Sequence, residues 1–184
     1  YDDVIVGNDP DPWVTDDPGY AKVHLGNAGG LSSTPVWSSY DPGVDSYWGW
    51  CVAGAGDVNG DGYADVVLGA PEYANATVGG RVQVFHGSAA GVQASPARTY
   101  DSTQADAFFG CSVATAGDAN GDGYSDILIG APHHDNGQVD EGYVWLYLGN
   151  FDGLRATADW VKDSDQAGAF FGWREPTAGD VNGD

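Results

Sequence analysis

Residues 47–73 read YWGWCVAGAGDVNGDGYADVVLGAPEY, and this stretch recurs along the chain. The second copy, at 108–135, reads FFGCSVATAGDANGDGYSDILIGAPHHD, and a third begins at 170 as FFGWREPTAGDVNGD. The copies are spaced by 61 and then 62 residues, measured between their Gly-Asp pairs, which begin at Gly56, Gly117 and Gly179. Self-similarity at a nearly constant period indicates an array of like structural units.

Each period contains four short stretches with the composition of β-strands. In the second period they cover residues 65–70, 80–86, 97–101 and 110–116, and clusters of Gly, Asn, Asp and Ser separate them. RVQVF alternates polar and apolar residues like a half-exposed strand, whereas VVLGA and ILIGA are continuous apolar runs suited to burial on both faces. We therefore predict an all-β fold in which each repeat forms one four-stranded β-propeller blade.

The sequence before the first full copy fits the same template when it is aligned from its end. Residues 3–7 match 65–69, and residues 21–26 match the third strand. The chain is thus predicted to be one repeat region holding three blade equivalents in permuted phase. Since three blades cannot close a propeller, we expect the region to be part of a larger propeller, array or assembly. The approximate repeats are 1–56, 57–117 and 118–179, and residues 180–184 begin a further acidic loop.

The charge balance is strongly acidic. The 184 residues include 27 Asp and Glu against 6 Lys and Arg, a net charge of −21. Such a surface attracts cations and repels nucleic acid and anionic membranes. The chain also has no run of about 18 apolar residues that could span a bilayer. The sequence therefore predicts neither nucleic-acid binding nor membrane insertion.

Two nine-residue acidic loops carry the chemistry, DVNGDGYAD at 57–65 and DANGDGYSD at 118–126. Oxygen ligands on positions 1, 3 and 5 converge on one point, the glycine at position 6 permits a sharp turn, the carbonyl at 7 adds an oxygen, and Asp at 9 closes the shell. Such multi-carboxylate sites suit Ca²⁺ better than Mg²⁺, which demands tighter octahedral geometry. The expected ion is calcium.

Two alternatives compete with this interpretation. An EF-hand needs a Glu at position 12 and flanking helices, but position 12 is Leu68 or Ile129 and the flanks are strand-like. A pair of Asx-rich turns without metal is the other alternative. Five matched positions in register favour the metal, because three clustered Asp side chains would repel one another without a cation. Metal binding would then be coupled to folding of the blade.

These motifs resemble FG-GAP repeats, the calcium-binding repeats of integrin α-subunit heads. The resemblance rests on the aromatic-Gly pairs at 48–49, 109–110 and 171–172, the D-x-N-x-D-G-x-x-D loops, and Gly-Ala-Pro at 69–71 and 130–132; the first repeat departs from it with Gly-Asn-Asp at 7–9. It implies a propeller, usually of seven blades, with Ca²⁺ in the loop between a blade's first two strands. The implied ligands are Asp57, Asn59, Asp61, Tyr63 (main-chain carbonyl) and Asp65, and Asp118, Asn120, Asp122, Tyr124 (main-chain carbonyl) and Asp126.

A third acidic loop is incomplete. Asp180, Asn182 and Asp184 supply its first three ligands, and Asp3 is a closing residue without a loop before it. One Gly placed between Asp184 and a second copy of Tyr1 would give DVNGDGYDD, a complete loop. We expect a third ion only where a closing carboxylate comes from beyond Asp184, either from the next blade of a longer protein or from a second copy joined head to tail. Self-association through the chain ends is therefore one hypothesis.

Other residues allow a structural and a functional interpretation. His133 and His134 could bind a transition metal, although polar residues are normal in a hairpin loop. Trp37 and Trp160 occupy equivalent positions, where they could pack blade against blade or stack on a sugar or partner. Asn75 begins an N-x-T glycosylation sequon.

The two cysteines do not occupy equivalent repeat positions. Cys51 matches Ser112, and Cys111 matches Trp50. Adjacent strand positions face opposite sides, so two buried free thiols are favoured over a bridge between blades.

The repeats are predicted to bind or to scaffold and not to catalyse. The sequence has no G-x-S-x-G elbow and no recognisable Ser, His and Asp arrangement. The leading hypothesis is an extracellular or cell-surface calcium-binding module in adhesion, surface or matrix structure, or fibre assembly, with a protein or glycan ligand. The rival is a non-catalytic carbohydrate-binding or docking platform of a secreted enzyme, and a hydrolase is a third, weaker possibility.

Overall fold

The structure, a computed structural model, describes residues 1–8, 19–40, 46–74, 78–175, 177–179 and 181. Within these residues the chain forms β-strands and turns and no helix, which confirms the predicted all-β class. The strands are β1 Val4–Asn8, β2 Tyr20–His24, β3 Gly26–Asn27, β4 Gly30–Leu31, β5 Trp37–Tyr40, β6 Cys51–Gly56, β7 Asp65–Ala70, β8 Arg81–Phe85, β9 Arg98–Asp101, β10 Ser112–Gly117, β11 Asp126–Ala131, β12 Tyr143–Tyr147 and β13 Trp160–Asp163.

The strands form antiparallel sheets in which chain order equals spatial order. Two sheets have four strands, β6-β7-β8-β9 and β10-β11-β12-β13, while β1-β2-β5 form a three-stranded sheet and β3-β4 a short hairpin. Short turns between alternating strands permit this up-and-down order, which is that of propeller blades. The predicted blade architecture is therefore confirmed for the two complete repeats.

The sheets differ in phase from the periods read off the sequence. The segment predicted at 110–116 forms β10, which is the first strand of the following sheet and not the fourth strand of its own period. The periods were divided at the acidic loops, whereas hydrogen bonding groups the strands from 51 to 101 and from 112 to 163. Each acidic loop consequently joins the first two strands of a sheet.

The first two strands of both sheets pair in the same register. Cys51 lies opposite Gly69 and Ser112 opposite Gly130, so the equivalence of Cys51 with Ser112 is confirmed. Each first strand carries a β-bulge before its last residue, between Gly54 and Gly56 in β6 and at the matching point in β10. A bulge bends and twists its strand, and here it aims the acidic loop.

The core lies between the sheets. All six residues of β7 are buried, as the continuous apolar run predicts, and a single apolar cluster joins Val67 and Val84 of one sheet to Ile127 and Ile129 of the next. Trp37 of the first sheet is also buried, with its ring 5.0 Å from that of Phe85 and its Nε1 donating to the Gln93 carbonyl at 3.0 Å. Blade-to-blade packing is therefore the role of Trp37.

Candidate metal sites

The first acidic loop folds around the carboxylate of Asp57. Its Oδ1 accepts hydrogen bonds from the main-chain N–H groups of Gly60 (2.7 Å) and Asp61 (3.1 Å), and its Oδ2 accepts one from Gly62 (2.8 Å). Further along, Asp61 Oδ1 accepts the N–H of Tyr63 at 3.0 Å. Successive Asx turns thus gather the oxygens of positions 1 and 5 on one side of the loop.

Glycines make this tight path possible. Gly60 and Gly62 have φ values of +74° and +88°, and their equivalents Gly121 and Gly123 have +74° and +92°. Only glycine adopts the left-handed region without steric cost. The sequence predicts a required glycine at position 6 only. In the structure the glycine at position 4 also has a positive φ, so glycine is favoured at both positions.

Asp65 closes the first loop from inside the protein. It is almost fully buried, its Oδ2 accepts the N–H of Val58 (2.8 Å), and its Oδ1 accepts the N–H of Gly87 at the end of β8 (2.7 Å). Burial raises the pKa of this carboxyl, while the two backbone hydrogen bonds partly offset the rise. Asp65 therefore ties the loop to the third strand of its own sheet.

The second loop repeats this arrangement in detail. Asp118 accepts the N–H groups of Asp122 (3.0 Å) and Gly123 (2.9 Å), and buried Asp126 accepts those of Ala119 and Gly149 (both 2.8 Å). Burial raises the pKa of Asp126, and the negative charges of Asp122 and Asp118 raise it further. Asp126 is therefore within electrostatic range of the carboxylates at positions 1 and 5 of its loop.

The polar side chains of both loops are hydrogen-bonded within the loops. Within the described residues, no three or more His, Cys, Asp or Glu side chains are arranged as a metal-ligating group. The carboxylates accept main-chain N–H groups, as in the metal-free alternative, and the Asn59 and Asn120 amides donate to Asp61 and Asp122 at 3.0 and 2.8 Å. The donor set nevertheless fits calcium, since it is all oxygen, and Asp57 Oδ2 and Asp118 Oδ2, which each accept one main-chain N–H, keep a second acceptor site.

Asp3 occupies the position of a closing residue. Its Oδ1 accepts the N–H of Gly26 at 2.9 Å, which is the same contact that Asp65 makes with Gly87 and Asp126 with Gly149. The partner residues of the predicted third loop, Asp180, Asn182 and Asp184, lie outside the described residues, as does Asn75.

The two histidines have separate aromatic surroundings. His133 Nδ1 lies 2.9 Å from Asp140 Oδ1, and its ring is 4.8 Å from Phe108. The His134 ring lies 4.9 Å from that of Tyr143, and burial lowers its pKa. These environments match ordinary packed loop residues.

Both cysteines are free thiols. Cys111 is buried and Cys51 is half-buried, so the prediction of burial holds fully only for Cys111. Burial raises the pKa of Cys111 to about 11 and also raises that of Cys51. A raised thiol pKa keeps both groups protonated and unreactive.

One feature of the loops was missed by sequence reasoning. Asp57 and Ser125 exchange two hydrogen bonds across the sheet interface: the Asp57 N–H donates to Ser125 Oγ at 3.2 Å, and the Ser125 N–H donates to the Asp57 carbonyl at 2.9 Å. Position 8 is not one of the predicted ligand positions, so the motif itself gave no signal for this contact. The acidic loops of neighbouring sheets are thereby joined.

The repeated antiparallel meanders, each with an acidic loop between its first two strands, define the class of protein as a β-propeller repeat protein. Residues 49–85 and 109–147 match the family model described as FG-GAP repeat, and the chain belongs to the FG-GAP repeat family. None of the described residues forms a helix long and apolar enough to cross a membrane.

Several integrin α-subunits are similar to this chain. Integrin alpha-IIb of Mus musculus is 37% identical over 157 residues, covering 80% of this chain and 15% of that protein. Integrin alpha-6 of Homo sapiens is 37% identical over 114 residues, covering 61% and 10%, and integrin alpha-5 of Xenopus laevis is 31% identical over 165 residues, covering 83% and 15%. The chain thus spans about 15% or less of the length of these relatives.

Proposed function

We propose that this chain is a calcium-binding FG-GAP propeller module that acts outside the cell or at its surface in adhesion, in surface or matrix structure, or in fibre assembly. The observation that carries the proposal is the pair of acidic loops, which present the same oxygen donors, oriented by the same backbone hydrogen bonds, in two consecutive blades. Both loops lie between a blade's first two strands, where the family resemblance puts its calcium.

The residues that would hold the ion are five in each loop. Ca²⁺ takes six to eight oxygen ligands in flexible geometry, so water would complete a shell of five protein positions. A bound cation would offset the charge of three Asp side chains. The ligand sets are Asp57, Asn59, Asp61, Asp65 and the Tyr63 carbonyl, and Asp118, Asn120, Asp122, Asp126 and the Tyr124 carbonyl.

Calcium in these loops would stabilise the blade and not only the loop. Asp65 also holds the start of the loop through Val58 and the end of β8 through Gly87. An ion that fixes the Asp65 carboxylate therefore fixes three segments of one sheet. We propose a structural role for the ion, with adhesion carried by other surfaces of a larger protein.

The similarity to integrin α-subunits supports an adhesive role with a protein ligand. The acidic surface, with a net charge of −21, suits an environment that supplies calcium and tolerates strong negative charge. We propose no catalytic activity for the chain.

A second candidate function is a carbohydrate-binding or docking platform of a secreted enzyme. The observation that favours it is a set of exposed aromatic side chains on the sheet β10–β13 and the segment that follows it, which could stack on sugar rings. They are Phe151, Trp160, Phe171 and Trp173. Retention on immobilised polysaccharide that is lost in Trp160→Ala and kept in EDTA would support this function over the first.

Calcium binding is tested by isothermal titration of the metal-stripped 184-residue chain. We expect two Ca²⁺ per chain, and one in Asp61→Asn or Asp122→Asn, because each substitution removes one ligand charge while keeping an oxygen acceptor. Asp152→Asn, an exposed position outside the loops, is the matched control and should still bind two. Binding of no calcium at millimolar concentration would overturn the proposal.

Thermal unfolding gives a second readout of the same proposal. With each ion at about 100 times its Kd, each site contributes about 2.7 kcal/mol. Since 1 kcal/mol shifts the Tm of a domain of this size by about 2–4 °C, EDTA should lower it by roughly 10–20 °C. An unchanged melting curve would show that the ions are not structural.

A further inference from the structure

The two acidic loops are in direct contact across the interface between neighbouring sheets. Asp57, at position 1 of the first loop, exchanges two hydrogen bonds with Ser125 of the second loop (3.2 and 2.9 Å). Ser125 stands at position 8, between Tyr124 and Asp126, which are both assigned as ligands. A ligand-bearing residue of one loop is therefore bonded to the residue between two ligands of the other.

A second path joins the closing carboxylates of the two loops. Asp65 Oδ2 accepts the N–H of buried Val58 at 2.8 Å, and the Val58 carbonyl accepts the N–H of Asn150 at 3.1 Å. The neighbouring Gly149 donates its N–H to Asp126 Oδ1 at 2.8 Å. Three hydrogen bonds and the backbone of Val58 and of residues 149–150 therefore connect the Asp65 carboxylate to the Asp126 carboxylate.

The two loops approach each other closely at two glycines. A Cβ placed on Gly149 would lie 2.4 Å from the Ser125 carbonyl oxygen and 2.8 Å from that of Val58. A Cβ placed on Gly60 would lie 2.6 Å from the ring of Tyr124. There is thus no room for an added carbon atom at these two points, and closely packed contacts transmit strain between the elements that they join.

We propose that Ser125 is a positioning residue that couples the two calcium loops, so that filling either loop raises the affinity of the other. The inference rests on the proposed calcium function. An ion in the second loop would fix Tyr124 and Asp126, and with them Ser125. Asp57 would then be held in its ligating position before its own ion arrives, so the first loop would lose less conformational freedom on binding.

Coupling of this kind is reciprocal for binding free energies. The test therefore compares the affinity of the first loop when the second can be filled and when it cannot. Asp122→Asn disables the second loop, and calorimetry of wild type and Asp122→Asn gives the two affinities. We expect the first loop to bind calcium roughly two- to tenfold more weakly in Asp122→Asn, the effect of about one hydrogen bond.

The same comparison in the Ser125→Ala background isolates the hydroxyl. We expect the difference between the two affinities to shrink to less than twofold, because the Asp57 N–H has lost its acceptor. Thr103→Ala, which removes an exposed hydroxyl outside the loops, is the control and should leave the difference unchanged. A melting curve in saturating calcium checks that Ser125→Ala remains folded.

The outcomes separate the coupling from the calcium function. Wild-type protein that binds no calcium overturns the calcium function and the coupling with it. Two sites that fill independently in wild type overturn the coupling alone. An equal affinity difference in the presence and absence of the Ser125 hydroxyl overturns the role of Ser125.

Discussion

The two four-stranded sheets have nearly the same sequence and register but different neighbours. The sheet β6–β9 lies between two other sheets, whereas among the described residues nothing beyond a short segment after residue 169 packs on the far side of β10–β13. Trp37, on the face toward β6–β9, is 8% exposed, while its equivalent Trp160 is 48% exposed. Phe109 and Phe171 differ in the same way, at 4% and 39%. Equivalent residues in a repeat therefore acquire their burial from the neighbouring blade.

The largest expected effect separates Phe109 from Phe171. Phe109 belongs to the core shared by the two sheets, with its ring 5.2 Å from Trp145. We expect Phe109→Ala to lower the free energy of unfolding by about 3–5 kcal/mol, through lost burial and a cavity. Phe171→Ala should cost about 1 kcal/mol or less, because much of the ring is already in water. Urea unfolding of both variants measures the difference, and equal losses would contradict it.

A second difference lies at one position of the first strand of each blade. Val52 and Val113 occupy it in β6 and β10, and Glu175 occupies it in the third copy. Both Glu175 carboxylate oxygens are buried without a hydrogen-bond partner among the described residues, and its main-chain N–H donates to Ser112 Oγ at 3.0 Å. Burial raises the pKa of this carboxyl to about 7. The third copy thus has an ionisable carboxyl group where the other copies have the isopropyl group of valine.

This difference predicts a pH dependence of stability. Because the folded pKa lies above the ordinary value of 4.5, the folded state binds the proton more tightly than the unfolded state. The contribution of protonated Glu175 to the free energy of unfolding is fully present below pH 4.5, and it is lost as pH rises through 7. Allowing for partial exposure, we expect a loss of roughly 1 kcal/mol between pH 5 and 8.

The matched variants are Glu175→Val, which restores the residue of the other copies, and Glu175→Gln. Both remove the titrating group, so both should flatten this part of the pH profile in urea unfolding without calcium. A profile that is as steep in Glu175→Val as in wild type would assign the effect to other carboxyls.

The repeat motif predicted most of the fold because the period places each apolar run and acidic loop in register. The buried strands β7 and β11 follow from VVLGA and ILIGA, since continuous apolar runs need burial on both faces. The period alone could not show which strand begins each sheet, because the repeat length is the same whichever residue is taken as its start.

Unusual backbone conformations and contacts between sheets were not visible in the motif. Tyr47, Phe108 and Phe170 all have positive φ (54°, 57° and 51°), an unusual conformation for aromatic residues that no local pattern indicates. The Asp57–Ser125 contact joins residues 68 positions apart and uses a loop position without a ligand role. The oxygen-bearing residues of the loops are visible in the sequence, while the backbone hydrogen bonds that both loops share required the structure.

The smallest expected effect concerns the outer edges of the two sheets. In β6–β9, Arg81 pairs with Asp101 on the last strand through two hydrogen bonds of 2.6 and 2.8 Å, and the Arg81 guanidinium lies 4.0 Å from the ring centre of Tyr73. In β10–β13 the equivalent cross-strand pair is Tyr143 and Asp163, which has no opposite charge. The ion pair is partly exposed, so we expect Arg81→Ala to cost only about 1 kcal/mol, with a contribution from the lost ring contact.

Asp101→Asn isolates the charge, and its cost of roughly 0.5 kcal/mol should fall further in 1 M NaCl, because salt screens partly exposed pairs. Asp152→Asn, at an exposed loop position, is the control and should show no comparable salt dependence. A loss in Asp101→Asn that is equal at 0.05 and 1 M NaCl in urea unfolding would mean that hydrogen-bond geometry, and not charge, stabilises the edge of this sheet.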